Sequence, residues 1–234
     1  MENGLRMGIW SGPVAFLIFG IGLIGFAHFL PPPAPSLSSQ EIAEVYANNT
    51  LGIRLGGILI MLAAALFAPF FASITVFMTR MEGRWPIYAW TQAMTATIVV
   101  LCFFIGAMLF TITAFRPERP DDLTQIMNDF AWLLFVAPAP PAVIQTFAIG
   151  FAIIGDRSRI LPRWTAFFSF WVAVLFVPGA MAILFKTGPF AWNGVLAFWV
   201  PAVLVGLWSN VIALQMLGAI KKGRWQAAEP TGAA

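Results

Sequence analysis

The sequence predicts an all-α integral membrane protein, a polytopic bundle of six transmembrane helices with an outer helical extension before the second span. Hydrophobic residues make up 60% of the chain and charged residues only 10%, whereas soluble domains are nearer half apolar and about a quarter charged. Six stretches reach the ~20 residues that a helix needs to cross a bilayer. Helices are expected because backbone groups in lipid must be hydrogen-bonded within their own segment.

The six predicted spans form one membrane domain over residues 1–234. Their boundaries are about 8–31, 51–79, 85–115, 123–154, 164–186 and 191–218. The first run is longer than the ~7–15-residue apolar core of a signal peptide, so we interpret it as a retained span.

Prolines interrupt the later spans, at residues 138–141 in the fourth, at Pro178 in the fifth and at Pro201 in the sixth. An interior proline removes a backbone donor and kinks a helix. Such breaks are tolerated where neighbouring helices or water satisfy the freed carbonyls. The sequence leaves two interpretations open, bundle shaping and a cavity beside the break.

The segment before the second span predicts an outer helix at about residues 38–50. Ser38 and Glu41, in "SSQE", have the spacing of a capping box. Ile42, Val45 and Tyr46 then fall on one side of a helix.

The distribution of Lys and Arg predicts the orientation. Alternating spans put nine basic residues on one side: Arg6, Arg80, Arg84, Arg157, Arg159, Arg163, Lys221, Lys222 and Arg224. Arg116, Arg119 and Lys186 fall on the other side. Because positive charge favours the cytoplasm, we predict a multi-pass protein of the cell membrane with both termini cytoplasmic. Basic residues in short loops indicate topology rather than a nucleic-acid partner.

The residue types present exclude several classes of site. With one cysteine and one histidine, the chain offers no zinc or iron–sulfur ligand set, so we expect no metal and no cofactor. It also lacks a P-loop, an H-E-x-x-H and a G-x-S-x-G motif. Whether the protein is an enzyme stays open. Any catalysis would be acid–base work by Asp129, Glu41, Glu44, Tyr46 or Lys186.

A polar stripe near the start of the fourth span is the candidate site. Its members, at spacings of three and four, are Gln125, Asn128, Asp129 and Trp132. An ionised carboxylate inside a bilayer costs about 2.5–3.5 kcal/mol, so it normally faces the bundle interior and has a partner. The predicted partner is Arg54, about one turn into the second span. This pair either fixes the register of two helices or forms the charged wall of a site.

Other polar residues fall on the same outer side, and we add Glu44, Tyr46 and Lys186 to the ligand-binding candidates. A milder set lies toward the cytoplasmic side: Thr91, Gln92, Thr95, Gln145, Thr146, Ser209 and Asn210. Such residues commonly join helices, but the two sets together would outline a path if they faced one interior. The small residues of "RLGGILIMLAAA" should let a neighbouring helix approach the second span closely.

Three stretches, "FRPERPDDLTQIMNDFAW", "LPRW" and "FKTGPFAWNG", resemble those of bacterial six-span membrane proteins of unassigned function. The resemblance covers most of residues 38–217. It implies the same fold class and a bacterial inner membrane, and it brings no catalytic residue.

The predicted function is an outer-side polar site that binds or handles a lipid, a sterol-like compound or a terpenoid. One alternative is a proton- or solute-coupled transporter that uses Asp129. Another is a structural subunit of a membrane complex. The expected partners are membrane lipids, a hydrophobic small molecule and further subunits, whether identical or different.

Overall fold

The protein is a six-span helical membrane bundle. A computed structural model describes residues 2–227, so the two ends of the predicted 1–234 domain lie outside the described residues. This part of the chain contains helices and no β-strand. The predicted all-α class is confirmed by six helices long and apolar enough to cross a membrane: Glu2–Phe26, Thr50–Glu82, Ile87–Phe115, Asp121–Gly155, Trp164–Ile183 and Val195–Lys221.

Nine α-helices and three segments of other helical geometry make up the described part. The α-helices are α1 Glu2–Gly20, α2 Ser39–Asn48, α3 Thr50–Glu82, α4 Ile87–Phe115, α5 Asp121–Val136, α6 Ala139–Gly155, α7 Trp164–Phe176, α8 Val200–Lys221 and α9 Arg224–Ala227. Two segments are π-helical, Ile21–Phe26 and Val195–Trp199, and Val177–Ile183 is a 3₁₀ helix. We call the end of the bundle that holds α2 the cap end, and the opposite end the terminal end.

The first span begins earlier and ends earlier than predicted. It starts at Glu2 rather than near residue 8, and its helix ends at Phe26 rather than near residue 31. The prolines at 31–33 cannot donate the hydrogen bonds that would continue a helix. Residues 27–38 therefore run as an irregular segment over the cap end, followed by α2. We call residues 27–48 the cap segment.

The helix predicted before the second span forms, as α2. The Ser38 side chain accepts a hydrogen bond from the backbone N–H of Glu41, and the Glu41 carboxylate accepts one from the Ser38 backbone N–H. This is the predicted capping box. Of the residues predicted to share one side, Ile42 and Tyr46 are buried.

Each of the last three spans departs from regular α-geometry near a proline. The fourth is divided between Val136 and Ala139, and the fifth changes to a 3₁₀ helix at Val177–Ile183. The sixth begins as the π-helical segment Val195–Trp199 before α8 starts. π-Bulges and 3₁₀ stretches in long helices often mark functional positions. The region where these three breaks meet is therefore a candidate for a functional site.

The small residues of the second span permit the close approach that the sequence predicted. A Cβ built on Gly56 would lie 2.5 Å from the backbone oxygen of Gly22, in the π-helical part of the first span. On the next face, a Cβ on Gly57 would meet the Thr111 hydroxyl of α4 and would lie 3.1 Å from the Ala107 carbonyl. The backbones of the first two spans thus touch, which fixes the wall of the bundle beside the first span.

Candidate functional site

A cavity of about 670 Å³ lies inside the bundle. It extends from the middle of the spans toward their cap end. All six spans contribute to its lining, with Leu23, Phe67, Phe103, Ala142, Phe176 and Gly206 as one representative of each. Its volume falls within the ~300–1,000 Å³ range of small-molecule pockets. The cavity is therefore large enough for a ligand rather than for one or two waters.

The helix breaks of the last three spans meet at one wall of this cavity. A Cβ on Gly179, in the 3₁₀ segment, would lie 3.2 Å from the carbonyl oxygen of Val136 and 3.7 Å from that of Ala197. Pro140 and Pro201 have no N–H to offer these carbonyls, which lie four residues before them. Gly179, Val136 and Ala197 all line the cavity, so of the two interpretations of the prolines, the structure favours a cavity beside the break.

The cavity reaches the lipid-facing surface between the first and sixth spans. Gly206 of α8 packs against the ring of Phe16 of α1, and a Cβ there would lie 2.5 Å from the ring. Toward the cap end from this contact, the lining residues Ile24 and Val203 are 50% and 57% exposed. We call this exposed part of the lining the mouth. The exposed side chains at the mouth are apolar.

The lining is almost entirely apolar. Within the described residues, no charged side chain lines the cavity, and ten of the lining residues are Phe or Trp. The polar side chains on the lining, apart from the indoles, are Gln145, Thr146, Ser209 and Asn210. Because a buried charge without a partner is strongly unfavourable in such surroundings, the cavity suits a neutral molecule.

Gln145 differs from the other polar groups of the lining. The Thr146 hydroxyl donates to the Ala142 carbonyl, and both Ser209 and Asn210 donate to the Gly206 carbonyl. In contrast, the amide nitrogen Nε2 of Gln145 is buried and has no hydrogen-bond partner among the described residues, and the residue as a whole is only 3% exposed. A buried donor without an acceptor is costly and needs a physical reason.

The polar stripe predicted on the fourth span contacts the cap segment instead of this cavity. Gln125 Nε2 donates to the Leu37 carbonyl at 3.0 Å, and the Tyr46 hydroxyl donates to Asn128 Oδ1 at 3.1 Å. Trp132 is fully buried among aromatic rings, with Phe29 of the cap segment at 5.6 Å between centroids. These contacts dock α2 and the irregular segment onto α5.

The predicted partnership of Arg54 and Asp129 does not form. Both residues are described, and no ion pair joins them. The Arg54 guanidinium lies 5.2 Å from the centroid of the Phe115 ring, and the half-buried Asp129 carboxylate accepts a 3.4 Å hydrogen bond from Asn128 Nδ2. Asp129 interacts electrostatically with Lys186 instead. Arg54 does not pair with Asp129 because it lies over the ring of Phe115 on the neighbouring α4, and an aromatic face attracts a guanidinium.

None of the eight predicted ligand-binding residues lines the cavity. Glu44 and Lys186 are exposed at the cap end, and the other six contact the cap segment, α4 or one another. The sequence predicted one site with a polar wall for a hydrophobic ligand. The structure instead has two regions, a polar seam under the cap segment and an apolar cavity deeper in the bundle.

Tyr46 shows how closed the seam is. Burial raises the pKa of the Tyr46 phenol above its ordinary value, and the negative charge of Asp129 adds to the effect. Its hydroxyl bonds to Asn128, which is fully buried. The phenol is thus held neutral, as a structural hydrogen-bond donor.

The milder polar set is divided by the structure. Gln145, Thr146, Ser209 and Asn210 line the cavity, whereas Thr91, Gln92 and Thr95 do not. Since the outer stripe also lies elsewhere, the lining does not connect the two predicted sets into one path. One sequence signal could have located the cavity. Pro138, Pro178 and Pro201 all lie in the middle or in the cap-end half of their spans, and so at similar depth.

No metal site is formed by the part of the chain that the structure describes, since no three of its His, Cys, Asp and Glu side chains are grouped to hold an ion. No known protein family, curated protein or solved structure matches this chain.

Proposed function

We propose that this protein binds a neutral apolar or amphipathic small molecule, of the lipid, sterol-like or terpenoid class, inside the membrane-embedded cavity. The observation that carries the proposal is a cavity of about 670 Å³ whose uncharged, aromatic-rich lining reaches the lipid-facing surface at the mouth. An apolar molecule that fills the cavity gains van der Waals contacts with lining atoms that an empty space leaves without partners.

The ligand enters sideways from the bilayer rather than from water. Ile24 and Val203 at the mouth are exposed apolar side chains, so a hydrocarbon chain passes between similar surroundings. The cap segment, held by Gln125, Asn128 and Trp192, covers the cap end of the bundle and separates the cavity from water on that side. This arrangement favours a binding or handling role for a membrane-dissolved compound over movement of a hydrated solute.

We further propose that the cap end faces away from the cytoplasm, in the cell membrane of a bacterium. The support is the excess of Lys and Arg at the terminal end, nine residues against three. The mouth, which lies toward the cap end, then opens to the outer leaflet.

The binding proposal is tested with dodecylbenzene, a neutral hydrocarbon probe. Purified protein is incubated with the probe in detergent and the retained compound is measured by native mass spectrometry. Wild-type protein should retain it. Ala142→Phe places a ring inside the cavity and should reduce retention at least tenfold, because the volume that the probe needs is filled.

Ala65→Phe is the matched control, since Ala65 is exposed on the surface of α3 and does not line the cavity. It should leave retention unchanged. Asp129→Asn should also leave it unchanged, whereas a site in the predicted outer stripe would lose the probe. Equal retention by wild type and Ala142→Phe would contradict binding in the cavity.

A further inference from the structure

We propose that the ligand carries a hydroxyl group, and that Asn210 of the sixth span recognises it by accepting a hydrogen bond at Oδ1. The inference rests on the proposed function and deepens it, because it names the polar group that the cavity accepts. Asn210 lines the cavity on α8, one helical turn beyond Gly206, the residue that packs against Phe16 of the first span.

The first step is the orientation of the Asn210 amide. Its Nδ2 donates a hydrogen bond to the Gly206 carbonyl at 2.8 Å. A carbonyl oxygen can only accept, so the amide nitrogen must face Gly206 and the amide oxygen must point away from it. Oδ1 has no hydrogen-bond partner among residues 2–227. The acceptor of this amide therefore keeps its capacity to bind a donor.

The second step is that a bound molecule can reach this oxygen. Asn210 is partly exposed, whereas the other polar side chains of the lining, apart from the indoles, are at most 3% exposed: Gln145, Thr146 and Ser209. Oδ1 is also not one of the buried side-chain atoms that lack a partner. An unbonded oxygen that is not buried lies at a surface, and its residue lines the cavity. Asn210 thus offers an acceptor that ligand atoms can touch.

The third step is the depth of Asn210 in the membrane. It lies near the middle of the sixth span Val195–Lys221, ~16 Å along the helix from Lys221. Bulk water is absent from the hydrocarbon region at this depth and cannot serve the amide. Polar side chains within spans normally face the protein interior or a cavity and hydrogen-bond there. A donor on the ligand would supply the bond that water cannot.

The fourth step is the kind of donor that fits. No Lys, Arg, Asp or Glu lines the cavity within the described residues, so an ammonium group would have no counter-charge there. A hydroxyl group is a neutral donor and tolerates apolar surroundings on every other side. The class that fits is thus an alcohol with an apolar chain or ring system, such as a sterol-like or terpenoid alcohol.

The experiment compares three probes with the same ring and the same chain length. 1-Phenyldodecan-1-ol has a hydroxyl group next to the ring, dodecanophenone has a carbonyl group there, and dodecylbenzene has neither. Each probe is titrated against purified protein in detergent, and binding is measured by native mass spectrometry. The readout is the ratio of the affinity for the alcohol to that for the hydrocarbon. Because all variants are measured in the same detergent, differences in how the probes partition into micelles cancel between them.

Asn210→Leu should lower this ratio about fivefold relative to the wild type, the factor that corresponds to the loss of one hydrogen bond worth about 1 kcal/mol. Its affinity for dodecylbenzene should be retained, which shows that the cavity is intact. Asn210→Ala, which removes the amide without adding a branched side chain, should lower the ratio in the same way. The ketone has no donor, so its affinity relative to the hydrocarbon should be the same in all three proteins.

Gln145→Leu and Ser209→Ala are the matched controls. Both positions line the cavity, but their side chains are at most 3% exposed. Ser209 also donates to the same Gly206 carbonyl as Asn210 does. Each control variant should keep the alcohol-to-hydrocarbon ratio of the wild type.

The possible outcomes separate this inference from the proposed function. The role of Asn210 is overturned by a ratio that is unchanged in Asn210→Leu and Asn210→Ala, by an equal fall in the control variants, or by loss of all three probes from both Asn210 variants. A ketone that gains as much as the alcohol overturns the assignment of a donor to the ligand. In each of these cases the wild type still binds dodecylbenzene and the cavity stays a binding site. Retention of no probe by the wild type overturns the proposed function itself, and the inference with it.

Discussion

At the scale of single residues, buried polar groups divide into those with a partner inside the chain and those without one. Tyr46 and Asn128 satisfy one another at 3.1 Å between the cap segment and α5, both almost fully removed from solvent. Gln145 has no such partner for its Nε2. The first arrangement stabilises the fold, and the second costs free energy, because a buried donor is left without an acceptor.

Tyr46→Phe should lower the free energy of unfolding by about 1–3 kcal/mol, since Asn128 Oδ1 stays buried and loses its donor. Unfolding in a mixed detergent titration measures the change. Tyr88→Phe is the matched control, because Tyr88 is 42% exposed, and it should shift stability by less than about 0.5 kcal/mol.

Combining Tyr46→Phe with Asn128→Leu should recover part of the loss, since the two polar groups are then removed together. A double variant whose loss equals the sum of the two single losses would contradict a direct interaction between these side chains.

The same residue gives a pH-dependent prediction. The pKa of the Tyr46 phenol is raised in the folded state, while an unfolded tyrosine titrates at about 10. The unfolded state therefore loses its proton first, so this contribution to stability is complete below about pH 10 and is lost as the pH rises further.

The Tyr88→Phe variant leaves Tyr46 as the single tyrosine, because the chain has two. The ultraviolet absorbance of tyrosinate should stay absent from the folded variant at a pH where the unfolded variant is already ionised. Ionisation of the folded variant at about pH 10 would show that Tyr46 is open to water.

At the scale of elements, close backbone contact and broken helices shape the cavity together. The contact between Gly22 and Gly56 holds the first span against α3 and so fixes one wall. The breaks around Val136, Gly179 and Ala197 form another wall. Regular helices with large side chains at these positions would fill the space by packing.

Gly56→Val should lower the free energy of unfolding by about 1–3 kcal/mol. A Cβ at this position would lie 2.5 Å from the backbone oxygen of Gly22, and the backbone cannot move aside as the tip of a side chain can. Thermal unfolding in detergent measures the loss. Gly218→Val, also within a spanning helix but with nothing within 4 Å of its Cβ, should have a much smaller effect. Similar losses in both variants would mean that helix propensity, rather than contact with Gly22, determines the result.

How much the sequence could predict depends on whether the signal is local. The capping box of Ser38 and Glu41, the break in the fourth span and the close approach at Gly56 follow from neighbouring residues, and the structure confirms all three. Pairing of Arg54 with Asp129 needed the relative rotation and order of separate helices. One helix's periodicity does not contain that information, and an aromatic ring, Phe115, took the guanidinium instead.

The sequence does not single out Gln145 from the milder polar set, again because the partner of a side chain depends on how separate helices pack. Most Gln, Ser and Thr side chains in spans hydrogen-bond to a neighbouring helix or their own, as Thr75 does with Gln92. Only the three-dimensional structure shows which polar atoms of these side chains have a partner among the described residues. The sequence thus predicts Gln145 only as one member of a class of polar residues, and its missing partner is visible in the structure alone.

At the scale of the whole molecule, charge is distributed unequally between the two ends. The terminal end carries most of the Lys and Arg, and the cap end carries the acidic Glu41, Glu44, Glu118, Asp121 and Asp122. In an energised membrane, basic segments are retained in the cytoplasm during insertion. The proposed orientation therefore determines which leaflet supplies the ligand, because the mouth lies toward the cap end.

Cysteine labelling tests this orientation with a matched pair of substitutions. In a Cys102→Ser background, Ser36→Cys marks the exposed cap segment and Ser158→Cys marks the exposed loop at the terminal end. A membrane-impermeant maleimide added to intact spheroplasts should label Ser36→Cys, and it should label Ser158→Cys only after the membrane is opened. The reverse pattern would place the cap end in the cytoplasm. The cavity would then draw its ligand from the inner leaflet, and the excess of basic residues at the terminal end would have failed to set the topology.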